Sequence, residues 1–208
     1  MPLMSCVPHQ PSNSGQPARS RVSGATGNFG SAAVALAMGA SWVVAPGRNE
    51  AVLGDLARRF GNRVLPVKLT GNEADDRQRM MAAAPGPIDC VMDIMPPQVA
   101  PTTVRTALMT VRQNGRAVLM GGVGMLGGAG LDLPYPWIMR NCITIHGVWM
   151  YPREAIPRMI ALVRSGLLDL GQFTVTEFPL AGANEAVAHA AANGGPFRMT
   201  VLKPELGP

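Results

Sequence analysis

Short apolar runs alternate with segments of helical periodicity along most of this chain. The apolar runs predict strands over residues 41–45, 63–69, 88–94, 115–123 and 142–150. Between them, apolar residues recurring every three or four positions predict helices over 28–38, 50–60, 96–112 and 152–168, and a more polar helix over 73–84. With a first strand before residue 24, strand and helix alternate six times. This alternation predicts an α/β fold with a Rossmann-type, doubly wound parallel sheet.

The two ends of the chain depart from this rhythm. Residues 1–20 combine Pro, Ser, Asn, Gln and Gly without any period, which predicts a disordered tail. After the sixth repeat, the pattern predicts a strand over 173–178, a helix over 184–192 and a strand over 197–202. We therefore expect a tail (1–20), a sheet domain (21–171) and a short C-terminal strand–helix–strand extension (172–208).

Composition and charge narrow the function classes. Hydrophobic residues make up 47% of the chain, which favours a well-buried core. The net charge is +5, but the basic residues are scattered and aromatics are few, which argues against a nucleic-acid surface. No uninterrupted apolar run is long enough to span a membrane. The three cysteines have no metal-ligand spacing, so we expect a cytoplasmic protein without a metal site.

A glycine-rich turn follows the first strand, of which only Val22 and Ser23 are apparent before the turn. This strand is either completed by the mostly polar residues 18–21 or truncated. The turn matches G-x-G-x-x-G with Ala25 in the first glycine position. Gly27 would let the backbone approach a pyrophosphate, and Gly30 would let the helix pack closely on the strand. The turn therefore predicts dinucleotide binding, the alternative being a turn that only connects two elements. Its predicted contact residues are Gly24, Ala25, Thr26, Gly27, Asn28, Phe29 and Gly30.

The end of the second strand indicates which dinucleotide is bound. A site for NAD usually places an acid about 20 residues beyond the glycine turn, where it accepts hydrogen bonds from the ribose 2′-OH. Here the sequence is Ala-Pro-Gly-Arg-Asn, and Arg48 can pair with a 2′-phosphate while Asn49 lies beside it. We therefore predict NADP(H), with a solvated turn arginine as the alternative.

Three later strands should end at the same edge of the sheet, where ligands bind in this type of fold. Asp93 would end the fourth strand, with a strand-end cap as its alternative role. The other predicted cofactor contacts are Gly121, Gly122, Val123 and Gly147, whose small or backbone groups would face a nicotinamide ring.

Two nearby side chains are predicted to be structural. Trp149 is expected in the core, and His146 is expected to be a core or interface histidine. Tyr135 and Tyr151 are followed four positions later by Met139 and Ala155, so the Tyr-x-x-x-Lys pair of short-chain dehydrogenases is absent.

Taken together, these segments resemble the medium-chain dehydrogenase/reductase superfamily, the alcohol dehydrogenase and quinone oxidoreductase group. The resemblance covers about residues 22–204 and is carried by VSGATGNFGSAAVALAMGA, VVAPGRN, IDCVMDI, GRAVLMGGV, ITIHGVWMYPREAIPRMIALVRSGLLDL and FPLAGANEAVAHAAANGGPFRMTVLKP. It implies a cofactor-binding domain with its phosphate turn at 24–30 and its 2′-phosphate contact at Arg48.

The same resemblance implies a partner domain. Members of this group carry a preceding GroES-like domain that supplies zinc ligands or a substrate pocket, and residues 1–20 cannot form it. We therefore expect no zinc in this chain and an exposed apolar surface on the C-terminal extension. The resemblance also implies a homodimer through the strand at 142–150.

Two functions from different classes follow. The first is a truncated NADPH-dependent oxidoreductase that transfers a hydride between NADPH and an alcohol/carbonyl or quinone substrate, without an assigned catalytic residue. The second is a non-catalytic NADPH-binding module that acts as a sensor, a subunit or a degenerate gene product. An atypical short-chain or isomerase-like reductase is a third reading, but it does not explain the C-terminal segments.

Overall fold

The computed structural model describes residues 20–22, 31–149 and 151–205 of the 208-residue chain, with the side chains of 20–22 and 31 excepted. The predicted tail lies outside the described residues except for residue 20. The described strands are β1 (Ser20–Val22), β2 (Val43–Gly47), β3 (Val64–Lys68), β4 (Ile88–Asp93), β5 (Val111–Leu119), β6 (Thr144–Gly147), β7 (Thr174–Pro179) and β8 (Arg198–Lys203). The described α-helices are α1 (Ser31–Ala37), α2 (Glu50–Phe60), α3 (Glu73–Ala83), α4 (Pro101–Leu108), α5 (Tyr135–Arg140), α6 (Ala155–Arg164) and α7 (Ala183–Asn193).

The strands form parallel ladders in the order expected of a doubly wound sheet. Four strands are hydrogen-bonded in the order β1-β4-β5-β6, and β2 pairs with β3. Because β1 also lies against β2, the full order is 3-2-1-4-5-6. The predicted Rossmann-type fold class is confirmed. The described part of β1, residues 20–22, pairs with Cys90, Val91 and Met92 of β4, and the residues on either side of it lie outside the described residues.

Alternate residues of the central strands enter two different core layers. Val43 and Met92 pack in the layer that contains α1, whereas Val44 and Val91 pack in the layer that contains Val104 of α4. Side chains on a strand point alternately to opposite faces, so a strand buried on both faces reads as a continuous apolar run. This is why the sequence showed apolar runs without alternation.

Several element boundaries differ from the prediction. β2 continues through Pro46 and Gly47, which we had expected in a turn, because both pair with β3 and the carbonyl of Gly47 accepts the N–H of Leu69 at 2.9 Å. β5 begins at Val111 and ends at Leu119, four residues earlier at each end than expected. Helix α5 was not predicted. Its Pro136 lies in the first turn, where the missing N–H needs no partner.

The C-terminal extension has the predicted strand–helix–strand order. β7 and β8 pair in parallel and α7 packs beside them. Phe197, directly before β8, is 1% exposed and joins the core layer that contains α1, so it anchors the extension to the sheet domain. The expected apolar surface is present, since large apolar side chains of the extension are exposed at Val175, Leu180, Val187, Met199 and Leu202.

Candidate functional site

The strand order reverses beside β1, which has β2 on one side and β4 on the other. In open α/β sheets, ligands bind outside the carboxyl ends of the strands at such a switch point. Residues 23–30 connect β1 to α1 at this position but lie outside the described residues. Pyrophosphate binding by Gly24, Ala25, Thr26, Gly27, Asn28, Phe29 and Gly30 therefore stays a prediction.

Arg48 follows the last residue of β2, at the carboxyl end of the sheet. Its side chain is exposed, and it has no hydrogen bond or ion pair within the described part of the chain. Asn49 is the N-cap of α2, and its Oδ1 accepts the backbone N–H of Val52 at 3.2 Å. The guanidinium of Arg48 is therefore available to an anion, whereas one side-chain acceptor of Asn49 is already used.

Two charged residues that we did not predict as part of the site, Lys68 and Glu50, lie near the end of β2 beside Arg48. Lys68 ends β3 directly opposite Gly47, and its ammonium forms an ion pair with the carboxylate of Glu50. Both side chains are more than half exposed, so the pair contributes little to stability. The available signal was the parallel pairing of β2 and β3, which brings their carboxyl ends together. The acid closest to Arg48 in sequence is thus partnered by a lysine.

Asp93, the last residue of β4, is buried, with 3% of its surface exposed. Its Oδ1 accepts the backbone N–H of Met95 at 2.9 Å, and the backbone N–H of Gly121 also donates to its carboxylate. Burial raises the pKa of Asp93 above its ordinary value, and these two N–H groups oppose that shift. Asp93 therefore caps the strand end, the alternative role that we had considered for it.

Gly121 and Gly122, which follow β5, lie too close to neighbouring residues to accommodate a side chain. A β-carbon on Gly121 would lie 2.3 Å from Oδ2 of Asp93, and one on Gly122 would lie 2.9 Å from Cδ of Pro97. Backbone hydrogen bonds join the same segments, from Met120 N–H to the Asp93 carbonyl at 3.0 Å and from Gly122 N–H to the Met95 carbonyl at 2.8 Å. These hydrogen bonds join the carboxyl ends of β4 and β5 into one surface.

The remaining predicted contacts lie beside this surface. Gly147 ends β6, and a β-carbon there would meet nothing within 4 Å, so its face is open. The next residue, Val148, donates its N–H to the Leu119 carbonyl at 2.9 Å, which ties β6 to β5. Val123 is half-buried against the layer that contains α4. The structure therefore brings Asp93, Gly121 and Gly122 into one cluster with Gly147 on the neighbouring strand, whereas Arg48 lies on the other side of β1.

The structure corrects the expectation for Trp149 and narrows that for His146. Trp149 is 74% exposed, so the prediction that it belongs to the core is wrong. His146 is exposed, as are all four residues of β6, which leaves an interface as its remaining predicted role. In each case the outcome depends on which elements cover the residue.

The described residues contain neither a cluster of metal ligands nor a membrane-spanning helix. Within 31–149 and 151–205, three or more His, Cys, Asp or Glu side chains do not come close enough together to hold a metal ion. In the same part of the chain, every helix is too short or too polar to cross a membrane.

A family profile described as zinc-binding dehydrogenase matches residues 29–165, which is more than half of the chain. Comparison with curated proteins gives no match.

Solved structures of dehydrogenases share the fold. Benzyl alcohol dehydrogenase from Acinetobacter calcoaceticus is 20% identical, with a TM-score of 0.67 over 89% of this chain and 51% of that one. An alcohol dehydrogenase zinc-binding domain protein from Burkholderia ambifaria is 18% identical, with a TM-score of 0.67 over 86% of this chain and 48% of that one. L-Idonate 5-dehydrogenase from Escherichia coli is 21% identical, with a TM-score of 0.63 over 88% and 49%. The chain thus spans about half the length of the structures that it matches.

Proposed function

The chain belongs to the zinc-binding dehydrogenase family, and from this membership we propose that it binds NADP(H) at the carboxyl ends of its parallel strands. The proposed activity is that of an oxidoreductase of the alcohol dehydrogenase or quinone oxidoreductase type. In the carbonyl case, NADPH supplies a hydride to the carbonyl carbon, the oxygen takes a proton, and the products are an alcohol and NADP⁺.

The proposed contacts follow the sheet edge. The turn at 24–30 would hold the pyrophosphate at the start of α1, and Arg48 would hold the 2′-phosphate. The surface formed by Asp93, Gly121 and Gly122 would support the nicotinamide half of the cofactor. The open face of Gly147 leaves room beside it for a ring. Asp93 would act as a positioning residue, because its carboxylate is already bound to backbone N–H groups.

The observation that carries the NADPH preference is the exposed guanidinium of Arg48 directly after β2, which is unpaired within the described part of the chain. Glu50, the acid closest to Arg48 in sequence, is ion-paired with Lys68, which offsets its negative charge. A planar guanidinium pairs with phosphate oxygens through two parallel hydrogen bonds, and such charge-assisted bonds are worth about 1.5–3 kcal/mol each. The local charge therefore favours the phosphorylated cofactor.

Calorimetric titration of NADPH and NADH tests this preference. The full chain should bind NADPH more tightly, and Arg48→Ala should weaken NADPH binding by roughly tenfold to a hundredfold, from the loss of one charge-assisted pair. NADH binding should be unchanged. Arg164→Ala, which removes an exposed arginine at the last residue of α6, is the matched control. Equal affinities for the two cofactors, or tighter binding of NADH, would refute the preference.

The second candidate is a non-catalytic NADPH-binding module. It is favoured by the chemistry of the assigned residues, since all of them would contact the cofactor and the buried Asp93 is already engaged as a cap. Turnover assays with aldehydes, ketones and quinones separate the candidates. Oxidation of NADPH by any of these substrates supports the enzyme, and cofactor binding without oxidation supports the module.

A homodimer and a cytoplasmic location complete the proposal. β6 is the last strand in the order β1-β4-β5-β6, and all four of its residues are exposed. Ile145 on this strand and Trp149 just beyond it expose apolar surface. An unpaired strand edge with exposed apolar side chains favours pairing with a second copy.

A further inference from the structure

The C-terminal extension contains a cavity that no part of the proposed cofactor site uses. It is a pocket open to solvent, with a volume of about 440 Å³, and it lies between α7 and the β7–β8 ladder. This volume is within the range of small-molecule sites. The polar side chains that line it are Thr174, Thr176, His189, Asn193, Arg198 and Thr200.

Among the described residues, the lining of this cavity includes an arginine and no acid. The guanidinium of Arg198 has no hydrogen bond or ion pair with another described residue. The acid on the neighbouring strand, Glu177, is paired with Lys203 at 2.9 Å and does not line the cavity. An uncompensated guanidinium in a concave site attracts an anion.

The strand register places hydroxyl donors beside this guanidinium. Thr174 pairs directly with Arg198, and Thr176 pairs with Thr200. Because side chains alternate along a strand, these four side chains share one face of the ladder. Hydroxyl groups can donate hydrogen bonds to an oxyanion while the guanidinium supplies the charge.

Two features hold the cavity wall in place. Nδ1 of His189 lies 3.0 Å from the Thr200 hydroxyl, and the His189 ring packs against Phe178 with centroids 5.4 Å apart. Directly before Arg198, Phe197 adopts a left-handed backbone with φ of 61°, which is unfavourable for a bulky residue. The Phe197 ring is buried in the core, while the next residue, Arg198, lines the cavity.

A second cavity provides a contrast. It has a volume of about 330 Å³ and is lined by Arg59 and Arg63 among apolar residues. Arg59 is paired with Asp55 at 2.7 Å, and Arg63 donates to the Ala40 carbonyl at 2.8 Å. Both guanidinium groups are thus engaged, so of these two pockets the one beside α7 offers the freer guanidinium to a ligand.

The geometry points to a binding site in the α7 cavity for a small molecule that carries a phosphate or carboxylate group. Arg198 pairs with the oxyanion, and the hydroxyls of Thr174 and Thr176 donate to its remaining oxygens. The Thr200 hydroxyl joins them in the tautomer in which the Nδ1–H of His189 donates to Thr200. The site is separate from the cofactor site, because none of the proposed cofactor contacts lines it.

Titration of the full ¹⁵N-labelled chain with sodium phosphate, followed by amide NMR shifts, tests the site. Sodium acetate is titrated in parallel, and sodium chloride at equal ionic strength is the baseline. The background is Arg48→Ala, which weakens phosphate binding at the proposed cofactor site. Saturable shifts at 174, 176, 198 and 200 are expected with phosphate, acetate or both, and the tighter ligand identifies the preferred oxyanion.

Two variants assign the interaction. Arg198→Gln should weaken the binding at least tenfold, whereas Arg164→Gln should leave it unchanged. Thr200→Val, which keeps the shape of the side chain, should weaken it less than Arg198→Gln. Shifts that chloride reproduces, that do not saturate, or that Arg198→Gln leaves unchanged would overturn the proposal. None of these outcomes depends on NADPH binding. A failure of this site can therefore be distinguished from a failure of the proposed function.

Discussion

The carboxylate of Asp93 occupies the place where a β-carbon on Gly121 would lie. That β-carbon would be 2.3 Å from Oδ2 and 2.8 Å from Oδ1 and Cγ of Asp93. The backbone N–H of Gly121 donates to the same carboxylate, so the two residues are matched in shape and in hydrogen bonding. Glycine at this position is required by a neighbour within the chain, whether or not a cofactor lies against it.

Gly121→Ala should therefore destabilise the fold. The buried Asp93 side chain must move and lose its bond to the Met95 N–H, which together should cost about 1–3 kcal/mol. Chemical denaturation with urea measures this change. Gly130→Ala is the control, because a β-carbon there meets nothing within 4 Å, and it should be neutral or slightly stabilising. Equal stability of the two variants would contradict the matched pair.

Asp76 should make stability depend on pH. Burial raises the pKa of Asp76, but hydrogen bonds from the Thr70 N–H at 2.7 Å, the Thr70 hydroxyl at 2.8 Å and the Gly71 N–H at 3.0 Å outweigh it, so the pKa lies below its ordinary value of 3.8. A lowered pKa means that the ionised carboxylate stabilises the fold above pH 3.8 and that this stabilisation is lost as the pH falls through the folded-state pKa.

Asp76→Asn should accordingly cost about 1–3 kcal/mol at neutral pH, because the amide turns a donor toward backbone N–H groups. The difference from the unmodified chain should shrink as the pH falls below 3.8, as measured by urea unfolding over a pH series. The exposed neighbour Asp75→Asn serves as the control and should show a smaller loss. A pH-independent difference for Asp76→Asn would contradict the assignment.

Phe197→Ala should detach the C-terminal extension from the sheet domain. The Phe197 ring packs against Phe60 and Phe173 with centroids 5.8 and 5.3 Å away, and Cζ of Arg59 lies 4.7 Å from its centroid. Truncation of a buried phenylalanine costs about 3–5 kcal/mol. Urea unfolding gives the loss, and limited proteolysis should show earlier cleavage near residue 173. Val187→Ala, at a side chain that is 71% exposed, should change stability by less than about 0.5 kcal/mol.

Ile145→Arg should disrupt the proposed homodimer. Ile145 lies on the exposed edge strand β6, and an arginine there would place charge inside the paired edge. Analytical ultracentrifugation should show a dimer for the unmodified chain and a monomer for the variant. Ile160→Arg, at a comparably exposed residue of α6, should remain dimeric. A monomeric unmodified chain, or an Ile145→Arg variant that stays dimeric, would refute the interface.

The sequence by itself determined the fold class, the approximate position of each described strand, and the strand–helix–strand extension. These features depend on local patterns, since a strand buried on both faces must be apolar along its length, as in residues 88–94. The position of Arg48 at a strand end also followed from the sequence, because it needs only the end of β2 to be located.

Only the tertiary structure decided which residues meet across elements. The partnership of Asp93 with Gly121, the pairing of Lys68 with Glu50, and the exposure of Trp149 each depend on strands or loops that are far apart in the chain. Arg198, which is unpaired within the described part of the chain, likewise gained significance only when β7, β8 and α7 formed an open pocket beside it. Periodicity predicts which face of an element is apolar, but the elements that cover that face are set by packing of the whole chain.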